Sequence, residues 1–180
     1  MAGFDLSYWA PILATWILVV GTLAFAFWQL RQNQRLHSTS TLLDLRDRFY
    51  SQRMRQARKT LSTWLLKTDR GEEPDNWEVA LFFELVGSLA RSRTLERRLT
   101  RKALGTWVTS YYTFITQPVD MIGNWRKESN DPLIFADFEW LANWIIARER
   151  EISPEPDFER SLLQEARYVL QGESVLDVTA

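Results

Sequence analysis

The chain has 180 residues, 46% of them hydrophobic, with 22 basic and 23 acidic side chains, one histidine and no cysteine. The missing thiols exclude thiolate nucleophiles, iron–sulfur clusters and cysteine-based zinc sites, and the length suits one ordinary folded domain. The near-neutral total hides an asymmetry: residues 31–127 carry 18 basic and 10 acidic side chains, whereas 128–180 carry 4 and 12, so the two halves either attract each other or serve separate partners.

The first element is the run at 8–30, YWAPILATWILVVGTLAFAFWQL, which contains no charged residue. At about 1.5 Å per residue, roughly 20 such residues cross the hydrocarbon core of a bilayer, so the run predicts a transmembrane helix. Tyr8, Trp9 and Trp28 fall where interfacial aromatic belts are expected, Pro11 lies in the first turn, and Trp16 sits near mid-membrane, facing lipid, protein or an apolar cofactor. The residues before the run include Asp5 and no basic side chain, unlike a cleaved signal peptide, so the run reads as an uncleaved anchor at 1–30. Arg31, Arg35, Arg46 and Arg48 follow it. The positive-inside rule then places the amino terminus outside and the rest of the chain in the cytoplasm, tethered to the inner (cytoplasmic) membrane.

Residues 31–67 contain no Gly or Pro and read as a juxtamembrane segment continuing without a break into the first bundle helix, with Leu42, Leu45, Phe49, Ala57, Leu61 and Trp64 on its apolar face. The polar stretch around His37 is either a solvated stalk or a segment covered by a partner. Gly71 and Pro74 break the helix, and Asn76 is the expected N-cap of the next, WEVALFFELVGSLA, which is apolar around most of its circumference. The segment RSRTLERRLTRK leads into ALGTWVTSYYTFIT, which ends before Pro118. A short helix is expected at 121–126. Asp131 and Pro132 supply the N-cap and N1 signature for LIFADFEWLANWIIARERE. A last helix runs from Phe158 to Gly172, with 173–180 as a loose tail. No alternating run of β-branched residues occurs, so the fold class is all-α: one N-terminal transmembrane helix continuing into an antiparallel bundle of about five helices, of which 68–172 form the remainder.

FFELVGSLAR at 82–91 and DFEWLANWI at 137–145, behind a single amino-terminal span and a basic amphipathic helix, resemble a bacterial family of membrane-anchored helical proteins catalogued as a domain of unknown function. The resemblance implies a bacterial source and no activity.

The inventory for catalysis is poor. His37, the one histidine, lies in the polar stalk, and no nucleophile elbow, phosphate loop or dinucleotide fingerprint is present. Glu84 has Ala80, Leu81, Gly87 and Ser88 as helical neighbours, a small and apolar patch. A carboxylate there needs a partner, and Arg46, Arg53 and Arg58 are the expected candidates for a buried ion pair. Two buried Glu on helices invite a di-metal reading, but the Glu-x-x-His pairs of such sites are missing. Arg91, Arg93, Arg97, Arg98, Arg101 and Lys102 form the densest basic cluster, read as a solvated or internally paired face first, and as a contact for anionic lipid or a partner second. No nucleic-acid reader motif accompanies it.

No cofactor or metal is expected. The leading expectation is a non-enzymatic, single-pass membrane protein serving as an accessory or scaffold subunit of a larger membrane assembly, such as an energy-transducing, respiratory or photosynthetic complex, with lipids and other membrane subunits as partners. The alternatives are a membrane-tethered regulatory or sensory bundle, and an enzyme acting on lipids through Glu84.

Overall fold

Helix-forming sequence without alternating strands gives, in the computed structural model, seven helices and no strand among the described residues, which are 6–67, 77–117 and 120–175. Within these, the side chains at 6–17, 30, 31 and 33–35 lie outside the description. The chain is all-α. It divides into two units, Met1–Ser38 and Thr39–Ala180.

Helix α1 spans Leu6–Tyr50 and supplies the first unit and the start of the second. In the first unit the side chains from Leu18 to Trp28 are all exposed, apolar ones included, and Trp28 stacks on Phe25 with ring centroids 5.8 Å apart. Among the described residues no helix is long and apolar enough to cross a membrane. Tyr8, Trp9 and Trp16 lie outside the described side chains, which within the apolar run are those of 18–29.

The second unit packs the end of α1 with α2 (Gln52–Leu65), α3 (Glu78–Arg91), α4 (Arg97–Thr116), α5 (Met121–Ser129), α6 (Ala136–Ile152) and α7 (Phe158–Ser174). The uninterrupted helix expected through residue 67 is broken at Ser51, whose backbone is extended at φ −60°, ψ 152°. Neither Gly nor Pro makes the break. Ser51 Oγ accepts from the Met54 amide at 3.3 Å and donates to the Arg48 carbonyl at 2.7 Å, so a local side-chain bond replaces the helical ladder on both sides. The break lets Leu45 and Phe49 of α1 and Met54, Leu61 and Leu65 of α2 all enter one core.

Three other boundaries differ from expectation. The basic segment 91–102 is divided: Arg91 ends α3, residues 92–96 connect, and Arg97 to Lys102 already form the opening of α4. Asp131 accepts from the Leu133 amide at 2.9 Å and closes a turn, while α6 starts later, at Ala136. Helix α7 continues past Gly172 to Ser174, because Glu173 is held inside the bundle. With the break at Ser51, the bundle holds six whole helices plus the end of α1 instead of about five. The Gly71 break and the Asn76 cap lie outside the described residues, as does the tail from 176.

Helix α3 packs against α6, and α7 against α2 and α4, with α4 also touching α6. The core is aromatic: Phe49 lies 5.3 Å from Phe82, and Phe83 lies 5.3 Å from Phe138 and 5.8 Å from Tyr111 by ring centroids. Truncating any one of these buried rings to alanine is worth about 3–5 kcal/mol.

Candidate functional site

The apolar stripe of α2, Met54, Ala57, Leu61 and Leu65, carries Arg58 in its middle, and the fold therefore takes a guanidinium into the core, where its residue is 2% exposed. Aromatic rings surround it: the Phe49 centroid lies 4.1 Å from Cζ, Trp107 5.4 Å and Tyr50 5.5 Å. Ring faces attract a cation, and more strongly where water is excluded. The stripe of α7, Ala166 and Leu170, likewise ends in a charge, and Glu173, 4% exposed, meets Arg58 Nη1 through Oε1 at 3.3 Å. The pairing is incomplete, since Arg58 Nε and Glu173 Oε2 are buried with no hydrogen-bond partner.

Burial lowers the pKa of Arg58, with the Glu173 charge opposing, and burial raises that of Glu173, with Arg58 opposing. For both partners desolvation outweighs the mutual attraction, the expected balance for a buried pair held by a single long bond. Behind the cage, the Arg58 carbonyl accepts from Ser62 Oγ at 2.7 Å and from the Tyr111 hydroxyl at 3.4 Å. Burial pushes the Tyr111 pKa upward, and the Glu173 charge adds to it.

Sequence reasoning missed this pair. It offered Arg58 only as one of three possible partners for Glu84 and left Glu173 in the tail. The available signal was positional: Arg58 stands three residues before Leu61 and seven before Leu65, and Glu173 stands three after Leu170 and seven after Ala166.

Glu84 does something else. Its Oε2 accepts from the Phe138 amide at 2.7 Å and its Oε1 from the Asp137 amide at 3.3 Å, so it caps the first turn of α6 from a neighbouring helix. It takes no ion pair with Arg46, Arg53 or Arg58. Arg53 pairs with Glu78 at 2.9 Å, and Arg58 is committed to Glu173. The outside cap compensates for Phe135, which stands at the N-cap of α6 in a left-handed conformation (φ 54°) and has no side-chain acceptor to offer. One turn beyond Glu84, Gly87 lies directly beneath the same backbone, and a Cβ there would come 2.2 Å from the Asp137 carbonyl oxygen. Glu84 and Gly87 thus act as one dock for the start of α6.

A family model described as a domain of unknown function, DUF4760, matches residues 16–144, from the first part of α1 into α6. The chain belongs to the DUF4760 family. No curated protein and no solved structure matches it. Within the DUF4760 match lie the whole cage around Arg58 and the dock of Glu84 and Gly87, while α7 and Glu173 lie beyond it.

The basic cluster of this DUF4760 chain separates into two groups. Arg91 pairs with Asp137 at 2.8 Å, Arg97 donates from Nε to the Ala90 carbonyl and lies over Trp140, and Arg101 pairs with Glu149 at 3.0 Å. Arg93, in a left-handed turn, and Arg98 and Lys102, on α4, are exposed. Among the described residues, polar cavities open between α4, α6 and α7, two of which are sizeable. The larger, about 550 Å³, is lined by Tyr112, Asp120, Glu139, Asn143, Arg150 and Glu159, and the smaller, about 310 Å³, by Thr109, Ile145, Glu149 and Phe158 among others. Their charges are largely matched in place: Glu139 by Arg126 at 2.8 Å and Glu159 by Arg150. Among the described residues no group of three His, Asp or Glu side chains is placed to hold a metal ion.

Proposed function

We propose that this chain is a non-enzymatic, single-pass membrane protein whose helical bundle binds other polypeptides, as an accessory or scaffold subunit of a larger membrane assembly. One observation carries the reading: in α1, the apolar side chains of Leu18, Val19, Val20, Leu23, Phe25, Phe27 and Trp28 are exposed around the helix, with no polar stripe among them. A helix apolar on every face requires an apolar surrounding, and the uncharged run continues on both sides of these residues to the length of a span. Arg31, Arg35, Arg46 and Arg48 behind the run favour the amino terminus outside and the bundle in the cytoplasm of a bacterial cell.

The occupation of both Glu84 oxygens by backbone amides supports a structural role for that residue over a lipid-acting enzyme. Arg53, Arg91, Arg101, Arg126 and Arg150 are likewise engaged in internal ion pairs, which favours a binding module over a catalyst.

The cysteine-free chain makes the test direct. Gly172, where an added Cβ meets open space, accepts a single cysteine. In intact cells Gly172→Cys is expected to react with a membrane-permeant thiol reagent and to resist an impermeant one, and the chain is expected to stay with membranes through an alkaline carbonate wash. Mild-detergent extraction then yields a stoichiometric large complex on a native gel. Extraction by carbonate, impermeant labelling, or a solitary monomer would each overturn the corresponding part of the reading.

A further inference from the structure

We propose that the cage around Arg58 is a carboxylate-binding socket, filled in cis by Glu173 of α7, and that its ligand in trans is an acidic residue on an amphipathic helix of a partner polypeptide. The proposal deepens the protein-binding reading above and rests on it for the nature of that ligand. The release of α7 is observable without any partner or membrane.

The socket is poorly explained as packing. Replacing a buried ion pair by apolar side chains of similar volume often leaves a protein as stable or more so, so the stability of the fold does not by itself explain the pair. A guanidinium presents a planar fork suited to both oxygens of a carboxylate. Glu173 uses only one of its oxygens, at 3.3 Å, and leaves its own Oε2 and Arg58 Nε unbonded. The present occupant therefore fills the socket without satisfying it, and a carboxylate arriving at a slightly different angle would bind better.

The plug packs along both α2 and α4, yet three features of it favour exchange. Glu173 sits in the last turn of α7, where the helix dipole disfavours an anion. Of the side chains on α7, only Ala166, Leu170 and Glu173 are buried, and Tyr168 points its ring to the outside. The connection from α6, residues 153–157 with Pro154 and Pro156, is exposed throughout. Meanwhile Phe49, Tyr50, Arg58 and Trp107 all belong to the family-matched part of the chain, and the plug does not. The ligand specification follows from the plug itself: a helix presenting a small residue, a Leu four positions on and a Glu three further, as Ala166, Leu170 and Glu173 do.

Hydrogen exchange on the full chain in detergent, read by mass spectrometry helix by helix, tests this. In the wild type the amides of α7 are expected to exchange ahead of those of α3 and α6. Glu173→Gln accelerates α7 by roughly 10-fold or more and leaves α3 and α6 unchanged, because the opening is local. A fluorescent peptide of residues 157–175 then binds the Glu173→Gln protein and fails to bind Arg58→Met/Glu173→Gln. Arg58→Met/Glu173→Leu, with the socket filled by apolar side chains, keeps α7 closed. Equal acceleration of all helices in Glu173→Gln, loss of its helical signal, absence of peptide binding, or peptide binding that ignores Arg58 would each overturn the socket. If these results hold and no large complex is found in cells, the socket stands and the assembly reading falls.

Discussion

The seam between α3 and α6 and the seam between α7 and its neighbours α2 and α4 solve the same problem in opposite ways. At the first, backbone meets backbone at Gly87, both Glu84 oxygens are used by amides of α6, and Phe83 stacks on Phe138. Every polar group brought together there has a partner, and the outer pair of Arg91 with Asp137 adds little because it is solvated. At the second, two charges enter the core and leave one atom each without a bond. A satisfied polar junction fixes one arrangement, whereas an unsatisfied one tolerates another arrangement at small penalty. The bundle thus combines a committed half and a conditional half.

Breaking the conditional half from one side produces the largest effect. Arg58→Met strands Glu173 in the core and is expected to lower stability by about 3–5 kcal/mol, measured by denaturant unfolding, while adding Glu173→Leu restores the loss. A double variant no better than the single would show that the charges were doing something apolar side chains cannot. The committed half breaks by volume. Gly87→Ala forces a Cβ against the Asp137 carbonyl, and since the obstacle is backbone it cannot swing aside, so a loss of about 1–3 kcal/mol with separation of α6 from α3 is expected in unfolding and exchange experiments.

How much of this contrast was readable in advance follows from where its causes lie. The all-α class, the buried α3 and the break before α7 depend on hydrophobic period and on proline, which are local signals. The apolar surroundings of Glu84 were also visible, but its partners were not. They are main-chain amides more than fifty positions away, exposed to capping only because Phe135 turns left-handed, and no side-chain inventory contains them. The break at Ser51 was hidden for a related reason, since a serine mid-helix signals a cap only when tertiary packing favours ending the helix there. Arg58 and Glu173 differ: each was written plainly as a charge on an apolar stripe, and pairing such misfits of opposite sign would have located the socket.

A milder change sharpens the committed half. Glu84→Gln keeps one acceptor but removes the charge from the start of α6, and a loss of about 0.5–2 kcal/mol is expected, confined to that helix end. In amide spectra the resonances of Asp137 and Phe138 should shift and lose protection while those of α7 stay in place. Changes spreading to α7 would mean that the two seams are coupled and that the contrast between them is false.

The smallest effect separates the halves by pH. Tyr111 and Tyr112 both have raised pKa values, in each case mainly through burial, with the charges of Glu173 and Glu139 respectively adding to it. The folded state therefore prefers the neutral phenols. That stability is complete below the unfolded tyrosine pKa of about 10 and is lost as pH rises beyond it. Tyr111 touches the conditional half through its bond to the Arg58 carbonyl, and Tyr112 packs edge-on against Phe138 in the committed one. Tyr111→Phe removes a 3.4 Å hydrogen bond, worth about 1 kcal/mol or less at neutral pH, but it also removes a group that must ionise on alkaline unfolding. Its denaturation curve should thus cross that of the wild type, weaker near neutrality and stronger at high pH. A parallel offset at every pH would instead assign the alkaline transition to groups other than Tyr111.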